Sequence, residues 1–185
     1  AGIPIGFEED AEYFGVLERH LMSGLFAVDP KVKFAENMEE FFRRTCEQLL
    51  SCESLSLISV WNPTYLTILC DYISANRESL TVRLPEERRH ALLKAIEKDR
   101  FDLVFPNLAL ISLLADGCAA DHVGRVAGRF PGVRIQPKGL LATECFVSFP
   151  LAGEEGSRLS IYSHFFEFLR LDDGKIYRTH QLQPG

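Results

Sequence analysis

The segment from Leu108 to Gln136 constrains the fold most. Leu108 to Leu114 is an almost unbroken apolar run, which predicts a strand covered on both faces rather than one facing water. Asp116 and Gly117 end it. Ala119 to Arg129 then reads as a short helix with His122, Val123, Val126 and Ala127 on its inner side, and Pro131-Gly132 stops it. Val133 to Gln136 alternates as a second strand. Strand, helix and strand within roughly 30 residues is the pattern of a crossover unit, which requires parallel strands and a right-handed connection. Ligands of open parallel sheets bind outside the carboxyl ends of the strands. The turns after Leu114 and Ile135 are therefore expected to open side by side onto one cleft.

The flanking sequence extends this pattern. Asn37 with Glu40 three residues later can cap a helix, along which Met38, Phe42, Cys46 and Leu49 recur on one face. Leu55 to Trp61 reads as a buried strand, and Asn62-Pro63 suits the N-cap and first position of the next helix, packed through Leu66, Leu69, Tyr72 and Ile73. Pro85, Glu86 and Glu87 repeat the start signal ahead of Leu92, Leu93 and Ile96. After Phe146 the chain changes to short strands with turns at Gly153 to Gly156 and Asp172-Asp173-Gly174, the signature of antiparallel hairpins. The expected fold class is α/β: a mainly parallel sheet with flanking helices, and antiparallel hairpins near the C-terminus.

With 185 residues, 46% of them apolar, the chain can supply one core. A net charge of −6 and a pI near 5.4 argue against a general nucleic-acid surface. The Arg43-Arg44 and Arg88-Arg89 pairs lie among glutamates and read as solvated helix faces. The five cysteines are odd in number and lack Cys-x-x-Cys spacing, so neither a disulfide framework nor a zinc site is suggested and a cytoplasmic setting is expected. No apolar run approaches the roughly 20 residues of a membrane span, and the acidic Glu8-Glu9-Asp10 is unlike a secretory leader. The five histidines are dispersed without metal-ligand spacing. Oligomeric state is not readable from these features.

Chemistry concentrates in Lys138-Gly139-Leu140-Leu141-Ala142-Thr143-Glu144, where a glycine, a hydroxyl and a carboxylate follow a strand-like run. Ser163 to Leu169 and Phe105-Pro106-Asn107-Leu108 are further markers. With Ile3 to Phe7 and Leu57 to Thr64, these stretches resemble the auxin-responsive (Gretchen Hagen) family of acyl-acid amido synthetases, within the luciferase-like adenylate-forming enzymes, and bacterial members in particular. Members of that family are much longer. The resemblance therefore implies that residues 1–185 are the central α/β portion of such an enzyme, part of its N-terminal adenylate-forming domain and truncated at both ends.

By the same resemblance, the parent protein is an ATP-dependent ligase that adenylates a small carboxylic acid and conjugates it to an amino acid amine, with ATP and Mg2+ as cofactors. Thr143 would offer its hydroxyl to phosphate or water and Glu144 its carboxylate to the ion. Leu140, Leu141, Ala142 and Gly117 would line the nucleotide, although many relatives carry a tyrosine at the place of Leu140. Neither nucleic acid nor membrane is an implied partner.

Each assignment has a plainer structural counterpart. Thr143 can be an ordinary strand residue, Glu144 an exposed edge acid, Gly117 a tight turn, and Glu167 a hydrogen-bonded structural acid. No glycine-rich phosphate loop is present, Ser23-Gly24 is too short to count as the family's phosphate clamp, and Tyr177-Arg178-Thr179-His180 lacks the Gly and Asp of the family's Tyr-Arg-x-Gly-Asp element. A stand-alone binding or scaffold module without catalysis, or a fragment of an acyl-coenzyme A ligase, are the alternatives; the isolated chain is expected to be inactive in either the amide- or the thioester-forming case.

Overall fold

A computed structural model describes residues 25–183 apart from Ala152 and Glu155. The Ile3 to Phe7 stretch, Glu8 to Asp10, His20 and Ser23-Gly24 lie outside the described residues.

Three strands form a parallel sheet in the order β1 (Leu57–Ser59), β2 (Leu110–Leu114), β3 (Arg134–Lys138). Among the described residues, six α-helices accompany them: α1 (Met38–Ser51), α2 (Pro63–Ala75), α3 (Arg77–Thr81), α4 (Glu86–Glu97), α5 (Phe101–Val104) and α6 (Ala120–Arg129). Two antiparallel hairpins follow, β4 (Ser148–Pro150) with β5 (Ser157–Leu159) and β6 (Glu167–Leu169) with β7 (Ile176–Arg178). The expected fold class is observed, with parallel neighbours β2 and β3 joined through α6.

The helix starts follow from their capping chemistry. Asn37 Oδ1 accepts from the Glu40 N–H at 2.9 Å, and Asn62 Oδ1 accepts from the Thr64 N–H at 2.8 Å, ahead of a proline that lacks the donor a first turn leaves orphaned. Arg88 departs from the expected solvated face: its guanidinium donates to the Leu50 carbonyl at 2.8 Å, satisfying an acceptor at the end of α1. Arg43 and Arg44 do lie on the outer face, paired with Glu47 and Glu40 one turn away.

Side-chain burial corrects several expected stripes. In α1, Thr45, Cys46 and Leu50 are buried and Met38 is exposed, because the first turn of the helix extends past the core. In α6 only Val126 is fully buried and Ala127 is exposed. Arg129 takes an inward place instead, bonded to the Thr67 carbonyl at 3.1 Å, paired with Asp71 at 2.6 Å and Asp99 at 3.1 Å, and set 5.9 Å from the Phe101 ring centroid. The Leu55–Trp61 strand shortens to Leu57–Ser59.

β2 is not covered equally on its two faces. Ile111 and Leu113 are fully buried in the core with Leu66, Ile73, Phe101, Val126 and Phe130, whereas Leu110, Ser112 and Leu114 are half-buried. The register explains the difference: Ile111 stands between Ile58 and Ile135, while Ser112 stands between Ser59 and Gln136. Alternation therefore gives the sheet one apolar face and one face with a polar row. Cys46 and Cys70 sit in this core, and burial pushes both thiols up to about 12.

Candidate functional site

β2 and β3 end together, Leu114 opposite Lys138, so the turns that follow them leave the same edge of the sheet. After β2, Asp116 leads into a single turn of 3-10 helix, Gly117–Ala119. Gly117 has φ +58, and a β-carbon there would meet nothing within 4 Å. Conformation alone thus accounts for glycine at this position.

After β3 the chain passes Gly139 and folds back in a tight reversal. The Val147 and Ser148 N–H groups both donate to the Leu140 carbonyl, at 2.9 and 3.1 Å, and the Leu140 N–H donates to Ser148 Oγ at 3.0 Å. Leu141 and Phe146 form an antiparallel bridge, and the Ala142 N–H donates to the Cys145 carbonyl at 2.9 Å. Thr143 and Glu144 therefore occupy the tip of a hairpin and not a strand. Leu140, Leu141, Thr143 and Glu144 are exposed, and Ala142 is half-buried. No hydrogen bond or ion pair engages the Glu144 carboxylate among the described residues.

The β4–β5 hairpin ties the two turns together. Its first strand carries Ser148, packed against Gly139; its second carries Ser157, whose hydroxyl donates to Asp116 Oδ2 at 2.5 Å. Asp116 is thereby held by residues 41 positions away. Nothing in the sequence around Asp116 announces that bond, since aspartate before glycine is explained by the turn alone.

On the other side of β2, Lys138 reaches across to β1. Its Nζ lies 2.9 Å from Ser59 Oγ and 4.8 Å from the centroid of the Trp61 ring. Sequence reasoning passed over both Lys138 and Trp61 as site residues; their pairing depends on the register of three strands. Glu167 begins β6 opposite Arg178 and is exposed, and Phe166 and Phe168 are more buried than Phe165 and Glu167, as alternation expects.

Among the described residues, no group of three or more His, Cys, Asp or Glu side chains is arranged to hold a metal ion. Glu144 offers one carboxylate, which matches the way magnesium is held by one or two acids together with substrate phosphates. A cavity of about 730 Å3 runs beside β1, lined by Phe41, Leu49, Leu55, Tyr65 and Leu66, and none of the residues Asp116, Gly117 or 139–144 lines it. No described helix is long and apolar enough to cross a membrane.

No family model matches the sequence, and no curated protein matches it. Solved structures do resemble it. A structure of the GH3.15 acyl acid amido synthetase superposes with a TM-score of 0.68 at 11% identity, over 85% of this chain and 35% of that one. The chain has the fold of part of an acyl acid amido synthetase. A second structure, titled AtGH3.15 in complex with 2,4-DB, gives a TM-score of 0.62 at 11% identity, over 77% of this chain and 32% of that one. This chain spans about a third of the length of these structures, and at such low identity the likeness concerns the fold.

Proposed function

We propose that residues 1–185 are the central α/β portion of an adenylate-forming ligase of the bacterial type, which activates a small carboxylic acid with ATP and passes the acyl group to an amino acid amine. The observation that carries this reading is the tie between the two carboxyl-end turns: Ser157 on Asp116 and Ser148 on Gly139 hold one hairpin across both. The likeness to a fold that performs this chemistry supports it.

In this reading Gly117, Leu140, Leu141, Ala142 and Thr143 border the nucleotide and Glu144 shares magnesium with its phosphates. Bound magnesium would offset the charge that develops on the phosphate oxygens. The Leu140 and Leu141 side chains give apolar surface against a purine, and the Thr143 hydroxyl can donate to a phosphate oxygen. The reading predicts a cytoplasmic enzyme whose partners are its small-molecule acid and amine.

The test is ATP–pyrophosphate exchange by the complete natural protein that carries this chain. Glu144→Ala should lower exchange on the order of a hundredfold or more, the scale of a lost transition-state electrostatic contact. A rate within about twofold of the parent, read on the same scale, would contradict the assignment. Product analysis with an amino acid or coenzyme A as acceptor separates amide synthesis from thioester formation.

A further inference from the structure

The two outer strands of the parallel sheet, β1 and β3, are built differently along their outward edges. Alternate residues of β1 make its bonds to β2: the Ser56 carbonyl accepts from the Leu110 N–H at 3.2 Å, and the Val60 N–H donates to the Ser112 carbonyl at 2.9 Å. Leu57 and Ser59 are out of that phase, so their N–H and C=O groups point away from β2. Among the described residues β1 pairs with β2 alone, and nothing bonds to those four groups.

A strand that ends a sheet carries features that discourage further pairing, among them charge and proline. β3 has both, in Arg134 and Pro137. Because the Arg134 N–H donates inward to the Ala109 carbonyl, Pro137 falls where a backbone N–H would face outward, and it has none to offer. β1 has neither feature. From Leu55 to Pro63 the chain carries no charge, and its proline comes after the strand, where it opens α2. Leu57 and Ser59 also line the cavity of about 730 Å3, whose further walls include Phe41 and Leu49 of α1. Unpaired strand backbone bordered by apolar side chains is the geometry that receives an added strand.

We propose that β1 is an interior strand of a wider sheet, and that an apolar strand from the complete natural protein, beyond residues 1–185, pairs with its outward edge. The source of that strand rests on the function proposed above, in which this chain is the central portion of a longer enzyme; the strand-accepting edge does not. The chain spans about a third of the length of the structures it superposes on, and purely parallel sheets are characteristically enclosed by their own polypeptide. A second copy would bring two three-residue edges together, by itself a contact far short of the roughly 1,000 Å2 of a specific interface. To pair with both Leu57 and Ser59 the incoming strand needs N–H groups two residues apart, which excludes proline from those places.

The test is amide hydrogen exchange at single-residue resolution on the complete natural protein. Leu57 and Ser59 should exchange as slowly as Ile58 and Val60, roughly a hundredfold or more below an unpaired amide, and dilution should not change this. In the 185-residue chain alone, Ile58 and Val60 should stay protected, which shows that the sheet is formed, while Leu57 and Ser59 should lose their protection. Should the isolated chain fail to fold, a pair of variants in the complete protein serves. Leu57 is the first residue of β1, a place where an edge strand tolerates proline. Leu57→Pro removes the outward N–H and should speed exchange at Ser59 roughly tenfold or more, the scale of one lost hydrogen bond; Leu57→Ala keeps the N–H and should leave Ser59 nearly as slow as in the parent.

Exchange of Leu57 and Ser59 at unpaired rates in the complete protein, or equal effects of Leu57→Pro and Leu57→Ala on Ser59, would overturn the interior strand. Protection lost on dilution to the monomer would assign the edge to a second copy and overturn the proposed source. Protection that persists in the 185-residue chain would overturn it too, since the covering strand would then lie within this chain. The strand fails independently of the ligase reading: protected Leu57 and Ser59 amides alongside unchanged pyrophosphate exchange in Glu144→Ala would sink the ligase and leave the strand standing.

Discussion

A β-carbon on Gly139 would stand 1.9 Å from the carbonyl oxygen of Ser148. The two backbones are in direct contact, and the reversal that carries Leu140 to Glu144 is built on that contact. Backbone on the opposing side cannot rotate away as a side chain can.

Gly139→Ala should therefore destabilise the chain by about 2–3 kcal/mol, at the upper end of the usual cost of overpacking. Urea unfolding followed by circular dichroism measures it. Hydrogen exchange should show faster opening of the Val147 and Ser148 amides before the core amides of α2 are affected. A loss below about 0.5 kcal/mol, the range of neutral surface substitutions, would mean that the hairpin is displaced at little cost.

The bond between Asp116 and Ser157 is the second tie, and it is exposed. Asp116→Ala and Ser157→Ala should each cost about 0.5–1.5 kcal/mol, and the double variant should cost clearly less than the sum. Additive losses in a double-mutant cycle would show that the two side chains do not act together.

Much of the architecture was legible because it depends on local chemistry. Asn37 and Asn62 accept the bonds their positions predict, and the apolar run to Leu114 followed by Asp116-Gly117 forms a strand and a turn. The site was less legible. Thr143 and Glu144 lie at a hairpin tip because of the Leu141–Phe146 bridge and the Gly139–Ser148 contact, and both are set by pairing between segments whose composition is ordinary. Lys138 and Trp61 meet only because β1, β2 and β3 stand in one register. Periodicity also misassigned Ala127, since it cannot anticipate an arginine turning inward to meet Asp71 and Asp99.

Arg129 joins α6 to α2 and to the turn after α4, with Asp71 and Asp99 both more than half exposed. Arg129→Met should cost about 1–3 kcal/mol, less than a fully buried pair because water screens both acids. Arg129→Lys should recover only part, since one ammonium cannot reach Thr67, Asp71 and Asp99 together. Chemical denaturation resolves both, and a Lys variant equal to the parent would refute the three-way role.

The buried thiols give a pH test. Desolvation holds Cys46 and Cys70 protonated up to about 12 in the fold, against about 8.5 for an unfolded cysteine. A raised acid favours the folded state fully below the unfolded value, and that contribution is lost as pH climbs through the folded one. Stability should thus decline between about pH 8.5 and 12, and Cys46→Ala with Cys70→Ala should flatten that limb while lowering stability at pH 7. At pH 8 a disulfide reagent should modify exposed Cys118 rapidly and Cys46 and Cys70 only on unfolding. Fast labelling of Cys46 in the native state would contradict its burial.

Nucleotide binding at the edge where β2 and β3 end side by side can be tested by photolabelling the complete natural protein with 8-azido-ATP and magnesium, followed by peptide mapping. The account predicts covalent label within residues 139–147 or on the turn at 115–118, suppressed by excess ATP. ATP-protected label confined to the outer faces of α1 and α4, with both turns unmodified, would contradict it.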